Sequence, residues 1–311
     1  MKLSAQAIGR WAAVITVLIW TFFIIIARAS ASHSLLPLDI AFLRILGAGS
    51  VLLPWGWWLM RDDRRSGADK GSLLGLSPLP LRITALAGLF GSLLYAMLAY
   101  AGFFFAPAAH ASVLMPGSLP LWTALLAWLL LDIPIDKSRG IGLACILLGD
   151  VMVGGASLLK AFDGGDVWKG DLLFMSAACC WAVYTVLVRH FELHAVRATI
   201  AITAFSCLSF VPLYGLAAWN AWVPSHLGQA PMYEVLFQAV YQGLGSVVIS
   251  GITFNMMVRH YGPVRSTMLT ALVPGLSALG AVLLLGEPMH LNLIAGLGLV
   301  TCGILFGVRK R

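Results

Sequence analysis

Charged side chains are scarce in this chain: Asp, Glu, Lys and Arg make up 11% of its 311 residues, and only 13 are acidic. So little solvating surface cannot cover a water-soluble fold of this length, which excludes the soluble globular classes. Cysteine is sparse as well. Cys145, Cys179, Cys180, Cys207 and Cys302 contain no C-x-x-C spacing and all fall in apolar stretches, which argues against zinc and against a disulfide framework. His190 and His194 stand four apart, but Phe191-Glu192-Leu193 between them does not make H-E-x-x-H, so no metal site is assigned. No G-x-x-x-x-G-K-S/T loop is present to cradle a nucleotide, and no cofactor is assigned.

What the chain has in abundance is apolar mass, 60% of its residues. A membrane-spanning helix needs roughly 20 apolar residues. Runs of that kind recur at 11–30, 36–60, 80–105, 108–131, 138–157, 170–190, 195–219, 234–260, 263–285 and 290–309. Transmembrane β-strands would alternate over about 10 residues, whereas these runs are apolar on every face. The expected fold is an all-α integral membrane protein of ten transmembrane helices. Ala27-Arg28-Ala29 after the first run resembles a signal-cleavage site, but that run has an internal counterpart, so it is read as a retained span.

The net charge of +7 follows the membrane, and no nucleic-acid partner is assigned. Lys2, Arg10, Arg61, Arg64, Arg65, Lys70, Arg82, Lys137, Arg139, Arg189, Arg197, Arg259, Arg265, Arg309, Lys310 and Arg311 fall on the termini and the even-numbered loops. Arg28, Arg44, Lys160 and Lys169 alone fall on the other side. Because basic loops resist translocation, this distribution places both termini in the cytoplasm, which requires an even helix count.

The halves repeat. Trp20 and Arg28 recur as Trp181 and Arg189 at an offset of 161. Pro120, Pro134, Gly142 and Gly149 recur as Pro274, Pro288, Gly296 and Gly303 at 154. The expected organisation is two five-helix units, residues 1–157 and 158–311. An odd helix count per unit forces the second to enter from the opposite side, giving inverted repeats. Secondary transporters with such repeats bind substrate near the midplane between them.

Cys180-Trp181-Ala182-Val183-Tyr184-Thr185-Val186-Leu187-Val188-Arg189 opens the second half, and Pro274 through Gly286-Glu287-Pro288, with Gly296 and Gly303, closes it. In these motifs the chain resembles the drug/metabolite transporter superfamily, within it the ten-helix EamA-type exporters, and among those most the YddG-type amino acid exporters. The first half departs from the pattern: Trp20-Thr21 lacks the usual glycine, and Asp132-Ile133-Pro134 replaces glycine-glutamate-proline. The resemblance implies a multi-pass protein of the bacterial inner membrane. It would export small metabolites, amino acids including aromatic ones, by alternating access and without nucleotide hydrolysis.

Trp20, Tyr95, Trp181 and Tyr184 fall near span centres. Their N–H and O–H groups need partners in hydrocarbon, so they are candidates to line a wet substrate cavity, with helix packing as the alternative. Tyr100, Tyr241, Gln242 and Asn255 are candidates at other depths. Pro116 and Pro120, and Pro274 with Gly275, mark expected helix breaks at matching places in the two halves. Arg44 and Asp150 are charges inside spans at similar depth, which suggests an ion pair, a role in coupling or in binding a substrate carboxylate, or separate snorkelling or unrelated partners. Lys, Arg and Glu residues elsewhere are expected at helix ends or in loops, facing water or headgroups, and the polar stretch 61–72 is expected as a flexible cytoplasmic linker. An intramembrane protease is the rival from another class, but Leu147 spoils a G-x-G-D motif at Gly149-Asp150 and no second midspan aspartate completes a dyad. The chain is therefore read as a carrier and not an enzyme. Its partners are a small-molecule substrate and the lipid bilayer, and the sequence leaves its oligomeric state open.

Overall fold

The computed structural model describes residues 5–65, 71–161, 164–270 and 272–308. Apart from one isolated bridge between Ser72 and Ser77, the described residues contain no extended pairing. Among the described residues ten long helices form the fold: α1 (Ala5–Ser30), α2 (Pro37–Arg65), α3 (Leu81–Phe105), α4 (Ala108–Leu131), α5 (Lys137–Ala161), α6 (Val167–His190), α7 (Ala195–Trp219), α8 (Met232–Tyr261), α9 (Pro263–Leu285) and α10 (Leu291–Val308). Among the described residues nine are long and apolar enough to cross a membrane, and α10 is a shorter apolar helix. The ten apolar runs each became one helix. The linker expected at 61–72 begins as helix, because α2 continues to Arg65. Residues 66–70 of that stretch lie outside the described residues.

Small residues set the closest helix crossings. A Cβ on Gly47 of α2 would collide with the Ala239 carbonyl oxygen of α8, and one on Gly243 would sit 2.7 Å from the Ala48 nitrogen. Backbones can approach this closely only where no side chain intervenes. A second crossing joins α5 and α10: a Cβ on Gly149 would lie 2.7 Å from the Gly296 carbonyl, and one on Gly303 would strike that of Gly142. Gly142 thus meets Gly303 and Gly149 meets Gly296, so the two helices run antiparallel. The glycines that repeat at an offset of 154 contact each other crosswise, as surfaces related by a two-fold axis do.

The α4 break falls on Pro116, as expected, and the α9 break falls just before Pro274 and Gly275. In α4 the break is a π-helical stretch at Val113–Gly117 that contains Pro116, and the helix resumes at Leu119 with Pro120 in its first turn. In α9 one segment ends at Leu269 and the next starts at Leu272, so Pro274 and Gly275 sit in the new helix. A first-turn proline has no intrahelical partner to lose and its fixed φ suits helix entry. Pro120 and Pro274 therefore start helices where a break was expected, and Gly275 is ordinary helix.

Candidate functional site

Trp20 and Phe23 of α1, Tyr95 of α3, Met115, Pro116 and Leu119 of α4, Ala178 and Trp181 of α6 and Val273 of α9 line a narrow recess with a cavity volume of about 20 Å³. Both halves of the chain contribute. The aromatic wall is a continuous cluster: Trp20 meets Trp181 edge-on at 5.8 Å, Tyr95 lies 4.8 Å from Trp181, and Phe23 stacks on Tyr95 at 6.5 Å between centroids. Trp20 Nε1 donates to Ser250 Oγ at 3.3 Å, which ties α1 to α8. Trp181 Nε1 is buried with no partner among the described residues. A mostly apolar recess with a few polar groups is the usual form of a small-molecule site.

Behind Phe23 and Tyr95 lies Arg44 of α2, 5% exposed. Its guanidinium carbon is 5.4 Å from the Phe23 ring centroid and 5.9 Å from that of Tyr95. Arg44 Nη1 donates to Ser246 Oγ at 2.9 Å and to Tyr100 Oη at 3.4 Å. The Gly47–Gly243 crossing explains this placement, because it brings α2 within hydrogen-bonding reach of Ser246 on α8. Gln242, one turn before Ser246, is fully buried, and neither of its amide atoms has a partner among the described residues.

Of the eight residues picked from sequence as substrate-binding, Trp20, Tyr95 and Trp181 line the cavity. Tyr100 lies beside Arg44. Tyr184 and Asn255 are fully buried and serve each other: Asn255 Nδ2 donates to Tyr184 Oη at 2.6 Å and to Thr199 Oγ1 at 3.1 Å. That network joins α6, α7 and α8 and lies outside the cavity wall. Tyr241 donates to the Ile19 carbonyl at 3.3 Å and stacks on Phe237. Phe23 and Met115 were missed, since an apolar side chain in an apolar span carries no signal of which way it faces.

Two expectations about charge are corrected. Arg44 and Asp150 do not pair: Arg44 faces α8, whereas Asp150 follows Gly149 in the helix packed on α10, is 4% exposed, and has both oxygens unpartnered among the described residues. Equal depth says nothing about azimuth around a bundle. Charges at helix ends are also not uniformly solvated. Arg28 Nε donates to Glu287 Oε1 at 2.7 Å, and Glu287 also accepts from the Ala108 and Ala109 N–H groups at 3.3 and 3.4 Å. Carboxylate at a helix N-terminus is favourable because the orphan N–H groups and the macrodipole both attract it. Buried Asp39 accepts from Tyr214 Oη, Ser225 Oγ and the His226 N–H at 2.6–2.9 Å. Buried Asp171 meets His110 Nδ1 at 2.8 Å. The first-turn position of Asp39 after Pro37 was a legible capping signal. Its partners, some 175 to 187 residues away, were not.

A polytopic helical bundle with a recess between its two halves is a form that secondary transporters take. The chain belongs to the EamA-like transporter family, whose profile matches it twice, over residues 7–155 and 168–309. An uncharacterized transporter of Archaeoglobus fulgidus is 29% identical over 173 residues, 56% of this chain and 54% of that protein, so the match spans about half of the relative. The uncharacterized transporter YyaM of Bacillus subtilis is 24% identical over 228 residues, 72% of this chain and 70% of that protein. A crystal structure aligns over 96% of this chain and 95% of its own at a TM-score of 0.59 and 22% identity, a likeness of fold. The family and both relatives are named as transporters and not as enzymes.

Proposed function

We propose that the chain exports amino acids, aromatic ones included, from the bacterial cytoplasm by alternating access, with both termini cytoplasmic. The observation that carries this reading is the aromatic cavity built by Trp20, Phe23 and Tyr95 from one half and Trp181 from the other. Planar rings around a recess suit a substrate with an apolar or aromatic body, which edge-on and offset contacts stabilise by about 0.5–1.5 kcal/mol per ring pair. The crosswise glycine contacts of α5 and α10 support two units, 1–157 and 158–311, of inverted topology. In that arrangement rocking one unit against the other exposes the same cavity to each side in turn. The basic termini support the orientation.

Uptake into proteoliposomes against a panel of amino acids and nucleosides, with and without an imposed pH gradient, tests the reading. Saturable, cross-competing uptake of phenylalanine and other amino acids supports it. Uptake confined to nucleosides would replace the substrate class. Reporter fusions near Gly164 and Ser225 should read external, and a cytoplasmic signal at Gly164 would sink the inverted arrangement.

A further inference from the structure

A guanidinium in a membrane interior is costly unless a partner compensates it. Arg44 has no carboxylate within ion-pair distance among the described residues; its polar neighbours are the Ser246 and Tyr100 hydroxyls, both bonded through Nη1. Nε and Nη2 have no acceptor among the described residues. An arginine fork carries five N–H donors in a plane that matches a carboxylate, so most of this fork is uncommitted. The ring faces of Phe23 and Tyr95 stabilise the cation but leave its hydrogen-bonding capacity unused. Those same two rings line the cavity. One turn from Ser246, Gln242 adds two unpartnered amide atoms in full burial.

We infer that Arg44 is the anchor for a substrate carboxylate, with Ser246 and Gln242 as its neighbouring polar groups and the Trp20–Tyr95–Trp181 cluster receiving the apolar body. This assignment rests on the amino acid export reading and deepens it. The site fits a monoanion rather than a phosphate, which carries about two charges near neutral pH, because Arg44 is the one cation placed against the cavity wall among the described residues. Binding the carboxylate neutralises a charge the resting protein leaves unpaired, so a substrate with this group is bound more tightly than its neutral-headed analogue.

Equilibrium binding of L-phenylalanine, L-phenylalaninol and L-alanine to the purified full chain in lipid nanodiscs, followed by intrinsic fluorescence, separates the head group from the ring. The expected result is a preference of roughly ten- to a hundred-fold for phenylalanine over phenylalaninol, the value of one charge-assisted contact. Arg44→Gln should abolish that preference while leaving phenylalaninol binding in place, and Arg44→Lys should restore it only in part because it keeps the charge without the fork. A purely structural arginine would lower both ligands alike. Should Arg44→Gln not fold, Ser246→Ala gives the same reading: it should weaken phenylalanine and spare phenylalaninol. Equal wild-type binding of phenylalanine and phenylalaninol would overturn the anchor and leave the aromatic export reading standing. Arg44-dependent binding of alanine as tight as phenylalanine would support the anchor and overturn the aromatic selectivity. Failure of all three to bind would overturn both.

Discussion

Glu287 ties three parts of the bundle together, and removing its charge should be felt in all of them. Its Oε1 accepts from Arg28 Nε at 2.7 Å and from the Ala108 N–H, and its Oε2 accepts from the Ala109 N–H, while Arg28 Nη1 also donates to the Phe103 carbonyl at 2.8 Å. The end of α1, the turn from α3 into α4 and the turn after α9 therefore share one network. A buried charge-assisted hydrogen bond contributes about 1.5–3 kcal/mol and an exposed ion pair about 0–1. Glu287 is 11% exposed but Arg28 is 33% exposed, so Glu287→Gln should cost about 1–2 kcal/mol, a loss of a few degrees in unfolding midpoint. Arg28→Gln should cost more, because it also abandons the Phe103 carbonyl. Thermal unfolding of the wild type, both single variants and the double variant in nanodiscs measures this. The double variant should lose clearly less than the sum of the singles, since each removes the other's partner. Strictly additive losses would refute a working pair.

Gly47→Ala puts a methyl group against the Ala239 carbonyl and should destabilise the protein by about 1–3 kcal/mol, with substrate binding reduced as Arg44 moves from Ser246; an unchanged unfolding midpoint would show that α2 and α8 have room to part. Asp150→Asn removes a carboxylate without a hydrogen-bond partner and should leave the unfolding midpoint unchanged or raised, whereas a marked drop would reveal a partner. His194, an exposed residue between α6 and α7, is held below the ordinary imidazole value of 6.5 by partial desolvation first, then by the Arg259 and Arg197 cations. The folded state thus favours the neutral ring. Its contribution is full above 6.5 and is lost as pH falls toward the lowered folded value. His194→Gln should flatten that acid-side decline in unfolding midpoints, and parallel pH profiles would contradict the assignment.

The helices were legible because lipid leaves a chain few choices: backbone polar groups must pair within each span, so apolar runs of the right length become helices. The doubling of the chain was legible too, through Trp20–Arg28 and the Pro and Gly pairs, and the glycines of the two pairs contact each other crosswise. What sequence could not supply was azimuth. Depth along a span is counted from its ends, and Trp20, Tyr95 and Trp181, all counted near span centres, line one recess. Tyr184 at the same level turns toward Asn255 instead. Arg44 and Asp150, alike in depth, point into different helix contacts. Nor could it supply partners distant in sequence. Arg28 and Glu287 read as separate solvated ends until the fold brought them together.

The central claim is that the aromatic cavity between the halves is where substrate is carried. Counterflow of labelled L-phenylalanine into proteoliposomes, comparing wild type with Trp20→Ala and Tyr95→Ala at matched incorporation, tests it most directly. The account predicts robust wild-type counterflow and strongly reduced rate or affinity in both variants, with expression and unfolding largely retained. Counterflow in both variants indistinguishable from wild type would return these side chains to helix packing and place the transport path elsewhere.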